Sequence, residues 1–168
     1  LEGPGIPAGP TLVYPLRDPR PRRPPRADTM EASSAQASRQ RVDRPIVVVP
    51  TYNEADNIGR LVPRILERDA RLSVLVVDDN SPDGTGRWCD ERAAEDGRLQ
   101  VVHRSAKLGL GTATIEAMRY AMDHEYDLLL TMDADYSHHP RYLPNLVRGM
   151  HMDGEEAVDV MIGSRYVS

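Results

Sequence analysis

Two carboxylates one residue apart, Asp133 and Asp135, come shortly after the apolar residues 128–130. Such a pair, placed where a buried strand gives way to a loop, suits a divalent cation that holds a diphosphate. Oxygen ligands suit Mg²⁺ or Mn²⁺, and Mg²⁺ usually binds one or two carboxylates together with substrate phosphates. We therefore predict a phosphate-binding metal site at these two residues.

Two further polar segments follow apolar runs in the same way. Residues 50–54 come directly after the run 46–49, and residues 78–85 come directly after the run 74–77. In open parallel sheets, ligands bind beyond the carboxyl ends of the strands. We therefore expect all three polar segments to meet in one site at one edge of a sheet.

The residue types in these segments fit a nucleotide diphosphate. Tyr52 can stack on or line a base, and Glu54 or Asp79 can accept hydrogen bonds from a base or a ribose. The planar guanidinium of Arg165 can donate two parallel hydrogen bonds to phosphate oxygens. Taken alone, Asp79 fits the role of a loop cap equally well, and Tyr52 fits that of a packed loop residue. The occurrence of all three polar segments after neighbouring strands favours a ligand site.

Lys107 is the single lysine of the chain and lies close to Gly109 and Gly111. The glycines permit close approach of the backbone to a ligand, but their spacing matches neither a P-loop nor a dinucleotide-binding fingerprint. We interpret this segment chiefly as a loop that leads into a helix, with ligand contact as the alternative.

Four other reactive side chains are assigned structural roles. His138 and His139 stand next to Pro140 and are predicted to shape a loop, and His103 is expected to end a strand. Cys89, on the apolar face of a helix, is expected to be a core residue. Because it is the only cysteine, the chain has no intrachain disulfide framework, and a reducing cytosol is the simplest setting.

Five short apolar runs predict the strands that position these residues, at 46–49, 74–77, 99–102, 127–132 and 158–162. Each is separated from the next by a segment with helical spacing. Strands and helices that alternate in this way predict an α/β fold with a mostly parallel sheet and helices on both of its faces, which is a three-layer architecture.

Apolar residues at helical spacing predict the buried face of the first two helices. In the first helix Asp56 is a candidate cap, and Pro63 predicts a kink or a late start. The second helix is predicted over residues 85–96. Its inward side chains are expected to be Trp88, Cys89 and Ala93, and those of the first helix Ile58, Leu61, Val62, Ile65 and Leu66.

The later helices are predicted in the same way. The third begins near Gly109 and is expected to bury Ile115, Met118 and Met122 on one face. The fourth repeats the helical spacing with Leu143, Leu146, Val147 and Met150.

Length and charge limit the broad class of protein. The chain has 168 residues and a formal net charge of -5, which allows one compact domain and argues against nucleic acid as the main partner. No apolar run approaches the roughly 18 residues that a membrane span needs, so we expect any membrane contact to be peripheral.

The first 44 residues differ from the rest. They are rich in Pro, Gly, Arg, Ser and Ala and have no hydrophobic period, which predicts a disordered leader. The chain starts at Leu1, and Met30 is the first candidate initiator, so residues 1–29 are questionable as native sequence. The folded domain is predicted over residues 45–168.

Together, residues 50–54, 78–85, 108–113, 133–140 and 163–166 resemble the polyprenyl-phosphate (dolichol-phosphate) mannose synthases. These are inverting glycosyltransferases of the GT-A fold. The resemblance implies a donor site made of Pro50, Tyr52, Glu54, Val77, Asp79, Asp133, Ala134, Asp135 and Arg165. It implies a metal site at Asp135 with a contribution from Ser137, and catalytic roles for Asp133, Asp135 and Arg165.

The same resemblance implies an activity. Mannose would pass from GDP-mannose to a polyprenyl or dolichyl phosphate with help from Mg²⁺ or Mn²⁺, at the cytoplasmic face of a membrane. Members of the family continue well beyond the segment that matches residues 163–166. We therefore expect this chain to be the donor-binding part of such an enzyme, truncated at its C-terminus, and expect membrane contact through the part that follows.

Other functions remain open. A fragment that binds the nucleotide sugar without transferring it is one alternative, and an enzyme that uses UDP-glucose is another. Residues 130–137 also resemble the nucleophile loop of haloacid-dehalogenase-type phosphatases, but no lysine follows Asp135, as that family would require. A receiver-like phospho-acceptor would explain Asp78 and Asp79 but leaves Asp133 and Asp135 without a role.

Overall fold

The computed structural model describes residues 42–150 and 160–163. In this part the chain forms a parallel sheet of four strands, in the order β3-β2-β1-β4. The strands are β1 (Pro45–Thr51), β2 (Ser73–Asp78), β3 (Leu99–His103) and β4 (Leu128–Thr131). The helices are α1 (Ala55–Leu66), α2 (Thr85–Glu95), α3 (Leu110–Asp123) and α4 (Leu143–Gly149), and a short 3-10 helix, Pro140–Tyr142, leads into α4.

The two faces of the sheet bury different sets of side chains. Val47, Val49, Val74 and Val76 point to one face, where they pack with residues of α1, α2 and α4. The alternate residues of β1 and β2 point to the other face and pack with α3. Because both faces are covered, the strands are apolar at nearly every position rather than at every second one. The predicted three-layer α/β fold with a parallel sheet is confirmed.

The late start, one of the two effects predicted for Pro63, and the cap predicted at Asp56 both need correction. The helix does not start late, because it begins at Ala55 and runs through Pro63 to Leu66. Asp56 does not cap it, since the carboxylate of Asp83 accepts the hydrogen bond from the amide of Ala55 at 3.0 Å. The five apolar side chains predicted for its inner face are buried as expected.

The predicted fifth strand, 158–162, is not formed where it is described. Residues 160–163 have no regular secondary structure. Residues 158 and 159 lie outside the described part of the chain.

Helix α3 packs with a different face from the one predicted. Its buried side chains are Ala113, Ala117 and Ala121. The larger apolar side chains predicted to point inward are exposed, and Met122 is 78% accessible. The helix lies over the sheet through its alanines, which permit a close approach between helix and strands. The sequence pattern does not distinguish the two faces, because the methionines and the alanines both recur at helical spacing.

The folded domain includes residues assigned to the leader. Val42 is buried in the core with α1. The amides of Asp43 and Arg44 donate hydrogen bonds to the carboxylate of Asp127, at 2.7 Å and 3.0 Å. These contacts connect the entry to β1 with the entry to β4. Within the described residues, no helix is long and apolar enough to cross a membrane.

The close packing of α3 gives a direct stability test. We expect Ala117→Leu to destabilise the domain by about 1–3 kcal/mol, because a larger side chain cannot fit between helix and sheet without moving one of them. The matched control, Met122→Gln, changes an exposed side chain on the same helix and should stay within about 0.5 kcal/mol. Urea unfolding measures both. Equal losses would contradict this orientation of α3.

Candidate functional site

Three loops meet at the carboxyl edge of the central strands. Thr51 at the end of β1 is paired with Asp78 at the end of β2. On the other side of β1, the amide of Met132 donates to the carbonyl oxygen of Val48 at 3.0 Å. The loops that follow β1, β2 and β4 therefore begin side by side, as the sequence predicts.

Asp78 connects two of these loops and is not available to a ligand. It is 2% exposed, and its Oδ1 accepts from the hydroxyls of Thr51 at 2.9 Å and Ser81 at 2.6 Å. The Ser81 hydroxyl in turn accepts from the amide of Asn53 at 3.0 Å. Asn53 has a φ of +60°, in the left-handed region that asparagine tolerates better than most residues. The chain thereby turns sharply between Tyr52 and α1.

Asp83 fixes the starts of two helices. Its carboxylate accepts from the amide of Ala55 at 3.0 Å and from the hydroxyl of Thr85 at 2.6 Å. The Thr85 hydroxyl accepts from the amide of Glu54 at 3.0 Å. Burial raises the pKa of Asp83, but the hydrogen bonds from Thr85 and Ala55 outweigh it and hold the pKa below its usual range. The carboxylate is therefore charged at neutral pH and stabilises the α1 N-terminus.

A buried ion pair connects the ends of β2 and β3. Arg104, directly after β3, places Nε 3.1 Å from Oδ1 of Asp79 and 3.6 Å from Oε2 of Glu116 in α3. The Arg104 side chain is 2% exposed. Its Nη2 donates to the hydroxyl of Thr112 at 2.6 Å. Two buried charges of opposite sign thus lie in contact away from water, although Nε of Arg104 and Oδ1 of Asp79 do not form a hydrogen bond.

Asp79 also holds the loop that leads into α3. Its Oδ2 accepts from the amides of Leu108 and Gly109, both at 3.1 Å. Gly109 has a φ of +91°, which a side chain would make costly. Lys107, the residue before these amides, places Nζ 4.0 Å from the ring centroid of Tyr52. The ammonium therefore lies over the aromatic ring of the predicted donor site, in a cation–π contact.

The loop after β4 presents carboxylates to solvent. Asp135 is exposed, and its Oδ1 accepts from the amide of Ser137 at 2.9 Å. This backbone hydrogen bond, the Ser137 side chain and the nearby His138 lower the pKa of Asp135. The Ser137 hydroxyl lies 3.4 Å from Oδ2 of Asp133. Two carboxylates and a hydroxyl thus share one short loop.

The loop after β4 also contains a residue with a strained backbone conformation. Tyr136, which lies between Asp135 and Ser137, has a φ of +64°, which is rare for an aromatic residue. Its ring packs against the core cluster beneath α1, and the guanidinium of Arg64 lies 5.5 Å from its centroid. Backbone strain of this kind is often found at functional sites.

The donor set of this loop fits a divalent cation. Asp133 and Asp135 supply carboxylate oxygens and Ser137 a hydroxyl, all of them hard ligands that suit Mg²⁺ or Mn²⁺. Among the described residues, no group of three or more His, Cys, Asp or Glu side chains could hold a metal by itself. A cation held by this loop would need further ligands from outside these three residues.

Comparison with known proteins gives the family. Residues 46–168 match glycosyl transferase family 2. The chain belongs to that family. It is 44% identical over 124 residues to the undecaprenyl-phosphate mannosyltransferase of Micrococcus luteus, covering 74% of this chain and 49% of that protein. It is 42% identical over 125 residues to the polyprenol monophosphomannose synthase of Mycolicibacterium smegmatis, covering 74% and 46%.

A solved structure of S. aureus TarS is also similar, with a TM-score of 0.51, 25% identity and coverage of 64% of this chain and 33% of that one. The chain spans about half the length of the curated relatives named above. The resemblance inferred from the sequence motifs is thus confirmed, and the fold is a Rossmann-like glycosyltransferase fold.

The remaining residues of the predicted family 2 donor site lie around the same edge. Pro50 is partly buried in β1, whereas Val77 in β2 and Ala134 in the loop after β4 are buried. Tyr52 is 37% exposed. Arg165 lies outside the described residues, so its predicted contact with phosphate stays a prediction.

The structural predictions for the other side chains are confirmed. The ring of His139 accepts from the amide of Arg141 at 3.1 Å and so starts the 3-10 helix. His103 lies 2.8 Å from Asp90. Cys89 is buried in the core, and burial raises the pKa of its thiol to about 12.

Sequence reasoning missed Arg104. A lone arginine after a strand gives no pattern of its own. Its signal is the pairing with Asp79, which only the parallel neighbours β2 and β3 bring together.

We expect Arg104→Met to destabilise the domain by about 3–5 kcal/mol, because Asp79 then stays buried without its counter-charge. The control is Arg92→Met, which removes an exposed pair with Glu95 and should cost about 0–1 kcal/mol. Urea unfolding followed by the fluorescence of Trp88, the single tryptophan, measures both variants. A loss for Arg104→Met no larger than the control would contradict the role given to the buried pair.

Proposed function

We propose that this chain forms the donor-binding part of an enzyme that transfers mannose from GDP-mannose to a polyprenyl phosphate. The observation that carries the proposal is the convergence of three motif loops at one sheet edge, in a family 2 chain similar to proteins named as polyprenyl-phosphate mannosyltransferases. Such an edge is where parallel α/β sheets bind their ligands.

The proposed donor site follows the geometry of the three loops. The nucleoside lies against Tyr52 and Glu54 with Pro50 as a wall. The buried Val77 and Ala134 lie behind these residues, and Asp79 supports the region from beneath. The diphosphate extends toward Asp133 and Asp135, beside β1 on the other side. Arg165 is assigned to phosphate oxygens.

Asp135 and Ser137 are the proposed metal ligands, with Asp133 close by. Asp135 suits the role because it is exposed and its lowered pKa keeps it charged at neutral pH. A divalent cation bound there supplies Lewis-acid stabilisation for the departing diphosphate.

The proposed reaction is a single in-line displacement. An oxygen of the acceptor phosphate forms a bond to the anomeric carbon of mannose, while the bond from that carbon to the GDP oxygen breaks and GDP leaves with the electron pair. The configuration inverts. A phosphate monoester has a second pKa of about 6, so the nucleophile is already ionised at neutral pH. The protein therefore needs to position the acceptor and stabilise GDP rather than supply a strong base.

The acceptor side of the reaction is also proposed. A polyprenyl phosphate carries its phosphate at a membrane surface, so we propose peripheral membrane contact and place the reaction at the cytoplasmic face of a membrane. A fragment that binds donor without transfer, and a donor such as UDP-glucose, are the alternatives that the experiments below separate.

We expect GDP-mannose binding to require a metal ion. Calorimetry compares affinity with Mg²⁺ or Mn²⁺ against affinity in EDTA. Asp135→Ala should weaken binding more than Ser137→Ala, because the first removes a charged ligand and the second a weak neutral one. Affinity that is equal in metal and in EDTA would contradict the metal site, and tighter binding of UDP-glucose would contradict the donor.

Transfer is measured separately from binding. The assay follows radiolabelled mannose from GDP-mannose to a short polyprenyl phosphate in detergent, with this polypeptide and with the Micrococcus luteus protein as positive control. Seating an acceptor beside the reacting carbon contributes about 7–11 kcal/mol in well-oriented reactions. The 168-residue chain matches only about half the length of such a control protein. We therefore expect it to bind the donor but to transfer mannose orders of magnitude more slowly than the control. A rate equal to the control would contradict that expectation.

A further inference from the structure

The proposed function leaves the role of one charged side chain open. Lys107 lies 4.0 Å from the Tyr52 ring centroid, and among residues 42–150 and 160–163 it has no carboxylate partner. A lysine ammonium is strongly hydrated and flexible. The local structure must therefore explain why the ammonium lies over an exposed ring rather than in open solvent.

The cause is the loop on which Lys107 stands. The amides of Leu108 and Gly109 are both hydrogen-bonded to Asp79, and Asp79 is paired with the buried Arg104. Two fixed amides directly after Lys107 hold its backbone at the end of β2. From there its side chain reaches across to the loop after β1.

The charges at this edge show what the ammonium can do. Glu54, Asp133 and Asp135 are at least partly accessible and negative, and a nucleotide diphosphate is negative as well. Arg104, on the same connection as Lys107, is buried and already paired with Asp79 and Glu116. Lys107 is exposed, so its charge is available to an incoming anion.

We propose that Lys107 is a donor-binding residue that pairs with the phosphates of the nucleotide sugar, leaving the Tyr52 ring when the donor arrives. The proposal rests on the proposed function and assigns the loop after β3 to the donor site. A charge-assisted hydrogen bond to phosphate is stronger than an exposed cation–π contact. The exchange also frees the face of Tyr52 for the nucleoside.

Replacement of the charge tests the proposal. Lys107→Met keeps the length of the side chain and removes the ammonium, and Lys107→Arg keeps the charge. With Mn²⁺ present, we expect Lys107→Met to bind GDP-mannose about tenfold more weakly or worse, and Lys107→Arg to keep most of the affinity. Thermal unfolding should be the same for both variants and the wild type, since Lys107 is exposed.

The single lysine permits a second measurement on the unchanged protein. An amine-reactive acetylating reagent modifies only Lys107 and the N-terminal amine, and peptide mass spectrometry follows the two separately. GDP-mannose with Mn²⁺ should slow modification of Lys107. The N-terminal amine is the internal control and should react at the same rate with and without donor.

The outcomes separate this inference from the proposed function. If the wild type binds GDP-mannose while Lys107→Met binds it equally well, the inference is wrong and the proposed function stands. Unchanged modification of Lys107 in the saturated complex would overturn it in the same way. If the wild type does not bind GDP-mannose at all, the proposed function fails and this inference fails with it.

Discussion

The buried pair of Asp79 and Arg104 is the interaction on which the site depends. Removing a carboxylate and a guanidinium from water is costly, and the cost is offset only where the geometry is good and the remaining polar atoms find partners. Here Oδ2 of Asp79 accepts from two backbone amides and Nη2 of Arg104 donates to Thr112. Nε of Arg104 contacts Asp79 and Glu116 through charge alone, without a hydrogen bond. Because the partners come from three elements, the charge pair fixes the end of β2, the end of β3 and the start of α3 relative to one another.

The acidic residues at the sheet edge fall into two groups with different roles. Asp78, Asp79 and Asp83 accept hydrogen bonds from neighbouring loops and helix starts, so their charges are used within the protein. Asp133 and Asp135 stand on an exposed loop with fewer protein partners. The first group gives the edge its shape, and the second remains available to a cation and a diphosphate. A count of carboxylates at strand ends does not separate the groups, since burial and hydrogen bonding decide the role of each residue.

The sequence predicts the order of the four described strands and their helices well, because β1 and β2 are short β-branched runs buried on both faces and each strand is followed by a segment with helical spacing. It also predicts that Tyr52, Asp79 and Asp133 lie at one edge, since parallel strands end at the same side. It fails for α3, where alanines and methionines have the same spacing and only packing against β1 and β2 chooses between them. It also fails for Arg104 and for the positive φ of Tyr136, which depend on contacts between segments far apart in sequence.

We propose that the loops after β1, β2 and β4 form one metal-dependent donor site. Nuclear magnetic resonance of the ¹⁵N-labelled protein tests it most directly, with Mn²⁺ and GDP compared against Mg²⁺ and GDP. Mn²⁺ is paramagnetic and broadens the signals of nearby amides. We expect the strongest broadening at residues 133–137, together with broadening at 50–54 and 79–81. Broadening confined to another acidic segment, such as 90–96, or broadening that does not depend on GDP, would contradict it.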